Sequence, residues 1–177
     1  GVARLSEAFL GSDPPEAHEL EELEEFIAER VDPVLDRFRQ RDVRRVIGTS
    51  GTMLNLISII GHQRGEPPDG NLNHYAVTVE EVARVRRLLC KSERDDRRRI
   101  PGVDEKRIDF IVAGAVLADH VLRRLGARQM IGCTWALREG VLLDFIARHR
   151  KGIEESERFG DSRRRSVVRF ARHMGEQ

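Results

Sequence analysis

The residues best suited to chemistry are Gly48-Thr49-Ser50-Gly51-Thr52. They follow the run Val43-Arg44-Arg45-Val46-Ile47 and precede an apolar stretch from Met53 to about Ile60. That order predicts a strand, a tight turn and a helix. Glycines let the backbone turn sharply and approach a ligand closely. The first amides of the following helix lack intrahelical acceptors and lie at the positive end of the helix dipole. The hydroxyls of Thr49, Ser50 and Thr52 add donors, so the loop has the makings of a phosphate or nucleotide cradle. An ordinary strand-to-helix turn with a hydroxyl cap fits the same residues, and that alternative stands open. The loop is not a Walker A sequence and not Gly-x-Gly-x-x-Gly. Ser50 also lacks the Gly-x-Ser-x-Gly frame of a nucleophile elbow.

A second group lies in Ile100-Pro101-Gly102-Val103-Asp104-Glu105-Lys106-Arg107-Ile108-Asp109. Asp104 is a natural cap for the most apolar helix of the chain, along which Ile108, Ile111, Val112, Ala115, Val116, Ala118 and Leu122 recur. Arg107 and Asp109 are then charged residues in its first turns. They either face solvent or are held for a purpose, and an arginine fork grips phosphate oxygens well. Gly114 stands mid-helix, where glycine costs about 1 kcal/mol against alanine, which implies close approach by another element or a ligand. A third group is Leu137-Arg138-Glu139-Gly140, with Gly140 again in a helix and Arg138-Glu139 just before it. A surface ion pair at a helix start is the simpler reading there.

Other residues point to no chemistry. The six histidines form no His-x-x-x-His or His-Glu-x-x-His frame, so their spacing supports no metalloenzyme site. The runs Arg94–Arg99 and Arg163–Arg165 read as solvated faces, and Trp135 reads as a packing anchor.

Elements must position these groups. Asp13-Pro14-Pro15 starts an acidic amphipathic helix carrying Leu20, Leu23, Ile27 and Val31, whose glutamates read as a solvated face and which Asp32-Pro33 interrupts. Residues 73–77 predict a second strand, Thr78 and Glu81 a capping box for a helix through Leu89, and Met130–Cys133 a third strand. A helix from Trp135 to about Ala147 follows, then a linker after Gly152 and a new amphipathic helix from Arg163 to His173. Strands alternating with helices give an α/β class. Three strands make a thin sheet for this much helix, as expected of a domain whose first strands lie before Gly1.

Composition narrows the function classes. The 177 residues carry 31 Lys+Arg against 30 Asp+Glu, a balance that argues against direct nucleic-acid binding. No apolar run approaches the roughly 18 residues of a membrane span. Cys90 and Cys133 are far apart, which favours neither a disulfide scaffold nor a zinc ribbon and makes a reducing cytoplasm the expected setting.

Taken in order, Val-Ile-Gly-Thr-Ser-Gly-Thr at 46–52, Ile-Pro-Gly-Val-Asp-Glu-Lys-Arg-Ile-Asp at 100–109, Ala-Gly-Ala at 113–115 and Leu-Arg-Glu-Gly at 137–140 resemble the exopolyphosphatase / guanosine pentaphosphate phosphohydrolase (Ppx/GppA) family. Arg4-Leu5-Ser6-Glu7 and Ser12-Asp13-Pro14-Pro15 resemble the stretch after that family's Gly-Gly-Gly-Ser loop. The resemblance covers nearly all of residues 1–150.

It implies a ribonuclease-H-like (actin-like ATPase) fold of two α/β domains around a cleft. Residues 1–150 would be an incomplete second domain, and residues 151–177 a linker and the start of a helical HD-like domain without its His-Asp signature. It further implies hydrolysis of the terminal phosphoryl group of polyphosphate or of guanosine pentaphosphate (pppGpp), usually with Mg²⁺. Gly48, Thr49, Ser50, Gly51, Thr52 and Arg107 then become phosphate-binding candidates, with Asp109, Gly114, Arg138, Glu139 and Gly140 in or near the cleft. No catalytic residue is assigned within the chain, because the family's catalytic glutamate belongs to the first domain. The implied partners are the substrate anion, that first domain and, since family members often pair, a second copy. A non-catalytic actin-like module that binds nucleotide or protein is the alternative. An actin-fold kinase is disfavoured by residues 100–109 and 137–140.

Overall fold

The computed structural model describes residues 1–38 and 40–158, with side chains to residue 150. It forms two compact units, one of residues 1–134 and a second beginning at Trp135. In chain order the first unit holds helices α1 (Val2–Phe9) and α2 (Ala17–Leu35), strand β1 (Arg45–Gly48), α3 (Gly51–Gln63), β2 (Ala76–Thr78), α4 (Val79–Lys91), α5 (Arg94–Arg99), α6 (Ile111–Arg124) and β3 (Gln129–Gly132). The second unit holds α7 (Leu137–Arg158).

The sheet has the order β1-β3-β2. β1 runs parallel to β3, with Arg45 opposite Gln129 and Gly48 opposite Gly132. β2 is antiparallel to β3, with Thr78 opposite Gln129. The crossover from β1 to β3 passes through α3, α4 and α6, as a parallel pair requires. Their facing sides carry the core: Leu56, Ile57, Ile59 and Ile60 of α3, Val82, Val85 and Leu89 of α4, and Ile111, Val112, Ala115 and Leu122 of α6. Leu23 and Ile27 of α2 pack with Ala113 and Val116 on another side of α6. The apolar side chains of α2 and α6 recur at helical spacing because each must bury one face.

Several expectations are corrected. Residues 2–9, which show no single clear pattern in sequence, form a helix. Pro33 does not end α2, which runs through it to Leu35. Proline lacks the donor for a bond back one turn, but it sits in the last turn, and the N–H of Asp36 still reaches the Asp32 carbonyl. Asp104 caps only a short 3₁₀ turn at Glu105–Arg107, and α6 starts at Ile111. Arg107 and Asp109 therefore precede α6, and Gly114 lies in its first turn. The linker expected after Gly152 is helix through Arg158. Arg163–Arg165 and the helix expected at 163–173 lie outside the described residues.

The acidic face of α2 is not wholly solvated. Glu19 is buried, and its carboxylate accepts hydrogen bonds from the backbone N–H of Gly11 (2.7 Å), Ser12 (2.9 Å) and Glu16 (2.8 Å). Burial alone pushes its pKa up, but those N–H groups favour the charged form more strongly, so it lies below the usual carboxylate range. A group lowered in the folded state stabilises the fold above its unfolded pKa of about 4.3, and that contribution is lost as pH falls through the lower native value. Glu19→Gln is expected to cost about 1.5–3 kcal/mol at neutral pH, as for hydrogen bonds to a charged group. Urea unfolding of both proteins should show the gap closing below about pH 4.

The arginine run of α5 is only partly a solvated face. Arg97 is buried, with Nη2 2.7 Å from Asp13 and Nη1 donating to the Ser92 carbonyl at 2.5 Å. Arg94, Arg98 and Arg99 make exposed ion pairs with Asp109, Asp95 and Asp96. Trp135 is 55% exposed and is not the buried anchor expected.

Candidate functional site

The turn after β1 and the loop before α6 meet at the first turn of α3. Ser50 is the N-cap of α3, its Oγ accepting the Met53 N–H at 3.2 Å. The backbone N–H groups of Gly51 and Thr52 have no acceptor among the described residues, as expected for the first positions of a helix. Against them lies Arg107. A Cβ built on Gly51 would stand 2.0 Å from Arg107 Nη2 and 2.4 Å from Cζ, so the guanidinium occupies the space that only glycine leaves open. Arg107 is about one-third exposed, and its Nε is 3.2 Å from Asp104 Oδ2. An open cleft of about 570 Å³ is lined here by Gly51, Asn55, Leu72, Asp104, Glu105 and Arg107, among others.

Asn55, which sequence reading passed over, holds the loop. It is buried, donates Nδ2 to the Gly102 carbonyl at 2.6 Å, and accepts the Asp104 N–H on Oδ1 at 3.2 Å. Gly102 has φ +90°, and a Cβ there would stand 2.8 Å from the Ser58 carbonyl oxygen. The loop therefore lies directly on α3. Asp104 in turn accepts the Lys106 N–H and pairs with Arg107. A circuit thus runs from Asn55 through the loop to Arg107 and back to Gly51, one helical turn before Asn55. A polar residue within an apolar helix, four positions after a glycine, was the only sequence signal for it. Asn55→Ala is expected to weaken tripolyphosphate binding about 3- to 10-fold and to cost about 1–3 kcal/mol, because it leaves the Asp104 amide and Gly102 carbonyl without their partner. Titration and urea unfolding check the two effects separately.

The remaining candidates divide. Gly48 is buried, and a Cβ there would press on Met53 and Met130. A side chain has no room there, although Gly48 itself borders a cleft together with Thr49 and Ser50. Thr52 is also buried, with its methyl 2.2 Å from a Cβ built on Gly114. The close approach implied by Gly114 is thus that of α3, and Thr52 offers its backbone amide rather than an exposed hydroxyl. Thr49 is exposed. With Gly48 and Ser50 it borders a smaller cleft of about 280 Å³, lined otherwise by apolar side chains of β1, α3, α6 and β3. Asp109 is not among the residues lining the Arg107 cleft. It accepts Arg94 Nε at 2.6 Å, and its carbonyl accepts Ser6 Oγ at 2.6 Å. The bond from Arg94 holds its carboxyl below the usual range.

Arg138, Glu139 and Gly140 sit at the start of α7 in the second unit. Glu139 accepts the Ala136 N–H at 2.8 Å and two bonds from Arg138. Those contacts, the Ala136 amide foremost, bring its pKa down to about 2. The pair caps its own helix. A Cβ on Gly140 would meet nothing within 4 Å, so no close approach explains that glycine.

No group of three or more His, Cys, Asp or Glu that could hold a metal ion occurs among the described residues. No described helix is long and apolar enough to cross a membrane.

The model of the Ppx/GppA phosphatase family matches residues 1–149. The chain belongs to that family. An uncharacterized protein of Streptomyces coelicolor is 29% identical over 150 residues, covering 82% of this chain and 44% of that protein. Exopolyphosphatase 1 of Mycobacterium leprae is 27% identical over 144 residues, covering 81% of this chain and 42% of the relative. Among solved structures, an exopolyphosphatase from Cytophaga hutchinsonii superposes with a TM-score of 0.71 at 26% identity, over 83% of this chain and 47% of that one. The Ppx/GppA family member of Aquifex aeolicus gives 0.71 at 21% identity, over 84% and 47%. The fold is thus that of part of an actin-like Ppx/GppA protein, and the chain spans under half the length of these relatives.

Proposed function

We propose that this chain forms the anion-holding wall of a phosphohydrolase that removes the terminal phosphate of inorganic polyphosphate. The carrying observation is the Arg107 guanidinium seated over Gly51 at the start of α3. A cation beside the positive end of a helix is unfavourable by itself. A phosphate there satisfies both, receiving the guanidinium fork and the free amides of Gly51 and Thr52. Donors fixed in this way stabilise charge that shifts onto phosphate oxygens during phosphoryl transfer. The exopolyphosphatases among the relatives favour the inorganic chain as substrate. Guanosine pentaphosphate presents the same terminal group and would bind by the same contacts.

The carboxylate that orients water comes, in this reading, from a first domain outside the chain that closes the cleft. Magnesium is implied by the family resemblance, but the residues here do not make a site for it. Asp104 and Glu105 are the cleft's carboxylates, and Asp104 is engaged by Arg107. Mg²⁺ is usually held by one or two carboxylates together with substrate phosphates and waters, so any protein ligands are assigned to the other wall.

Phosphate release measured for this chain and for the longer protein tests the proposal. The chain is expected to bind tripolyphosphate without turnover, and the longer protein to hydrolyse it. Turnover by the chain alone overturns the division between two walls. Binding without turnover in the longer protein supports the non-catalytic module instead.

A further inference from the structure

The first turn of α3 is gripped from two sides by one stretch of chain. On one side the Arg107 guanidinium fills the space over Gly51. On the other, a Cβ built on Gly114 would stand 2.2 Å from the Thr52 methyl, so α6 comes as close to α3 as only glycine permits. Gly51 and Thr52 are adjacent, and their backbone N–H groups are the donors assigned to the anion above. Arg107 and Gly114 are linked as well. The Gly114 N–H donates to the Phe110 carbonyl at 3.1 Å, and the Phe110 N–H donates to the Arg107 carbonyl at 3.0 Å.

This stretch has little freedom to move piecemeal. Ile111, Val112, Ala113 and Ala115 are buried. Asp109 is held from outside by Ser6, whose Oγ donates to its carbonyl at 2.6 Å, and by Arg94 Nε at 2.6 Å. A close-packed interior passes a displacement on rather than absorbing it. Thr52 is buried too, and its branched side chain has few rotamers to escape into. Asn55 thus ties the loop before Arg107 to α3, and the Thr52–Gly114 contact ties down the chain after it. Glycine weakens a helix, so Gly114 does not serve α6 by itself.

We propose that Gly114 is a positioning residue for the anion site: its contact with Thr52 sets the gap between Arg107 and the amides of Gly51 and Thr52. This rests on the function proposed above and adds to it a residue that never touches the ligand. A methyl group at position 114 would meet Thr52, drive the start of α6 away from α3 and carry Arg107 with it. The guanidinium and the two amides would then no longer converge on one phosphate, and a misplacement of about 1 Å is enough to matter greatly.

Tripolyphosphate titration is compared for the wild-type chain, Gly114→Ala, Thr52→Ser and the double variant Thr52→Ser/Gly114→Ala, each also in an Arg107→Ala background. Urea unfolding of the same samples gives the folded fraction to which each affinity is referred. Gly114→Ala is expected to bind roughly 10-fold more weakly. Thr52→Ser loosens the contact instead of overfilling it and should lose about 2- to 5-fold, which keeps the test open even where Gly114→Ala folds poorly. The double variant moves one methyl across the same contact, a volume-conserving exchange, and should return to within about 3-fold of wild type. In the Arg107→Ala background all three changes should have little further effect, because the gap they alter has lost one side. A contact that only packs the core would lower stability and leave the affinity of the folded protein unchanged. Wild-type affinity in both single variants therefore overturns the proposal. So does a folded double variant that binds as weakly as Gly114→Ala, or losses that persist in full without Arg107. If the wild-type chain does not bind tripolyphosphate, the function proposed above fails as well.

Discussion

Replacing Arg107 with alanine is expected to lower tripolyphosphate affinity by roughly 10- to 100-fold, the equivalent of losing a charge-assisted contact of about 1.5–3 kcal/mol. Stability should stay within about 0.5 kcal/mol of wild type, as for surface changes generally. The two halves of that expectation have separate causes. Without a ligand, the guanidinium has one ion-pair partner, Asp104 at 3.2 Å, and both side chains are about one-third or more exposed. Such pairs contribute little in water. The guanidinium also lies against Gly51, at the positive end of α3, where a cation costs a few tenths of a kcal/mol or more. These effects offset each other, so the fold does not depend on Arg107. A bound phosphate reverses the balance, because it meets the guanidinium and the helix amides together. Isothermal titration with tripolyphosphate, beside urea unfolding of the same samples, reads both quantities. Undiminished affinity in Arg107→Ala would remove the main support for an anion site at α3. A large loss of stability would mean that the arginine is structural after all.

The parts of this site differ in how far the sequence exposes them, and the difference is physical. Val46-Ile47 followed by Gly48-Thr49-Ser50-Gly51 leads to strand, turn and helix because β-branched residues favour strands and the hydroxyl of Ser50 closes the first turn of α3. The Thr78/Glu81 capping box is equally local, and it forms as read. What local pattern does not encode is which side chain of a turn meets the core. Thr49, Ser50 and Thr52 look alike in sequence, yet only Thr52 is buried, because α6 brings Gly114 against it. Glu19 is one glutamate among many on α2. It is buried only because the chain at Gly11 and Ser12 folds back to give it two amides beside that of Glu16. Asn55 depends on a loop 47 residues away. For Thr52 and Asn55 the deciding partner is distant in sequence, and for Glu19 it lies in the non-helical stretch before α2, so helical periodicity carries no trace of it. The start of α6 was misplaced for a related reason. Asp104 does cap a turn, but the turn it caps is the 3₁₀ segment that presents Arg107.

Gly51→Ala gives the more selective result, because it should disturb the site without touching any charge. A Cβ at residue 51 would fall 2.0 Å from Arg107 Nη2, 2.4 Å from Cζ and 2.9 Å from Nη1. The clash is with the far end of a flexible side chain, so the guanidinium swings away while the backbone stays in place. Gly51 has no positive φ, and alanine is the better helix former by up to about 1 kcal/mol. Stability is therefore expected to hold or rise slightly. Tripolyphosphate affinity should fall by about 5- to 50-fold, somewhat less than in Arg107→Ala, because a displaced arginine still contributes long-range attraction. Combining the two substitutions decides the mechanism. If the methyl acts only by moving Arg107, the double variant binds no more weakly than Arg107→Ala alone, since effects on one shared contact do not add. Additive losses would mean that the glycine serves the anion directly, by letting it approach the Gly51 amide more closely than a side chain permits. Wild-type affinity in Gly51→Ala would show that the guanidinium position seen against α3 is not the one that binds.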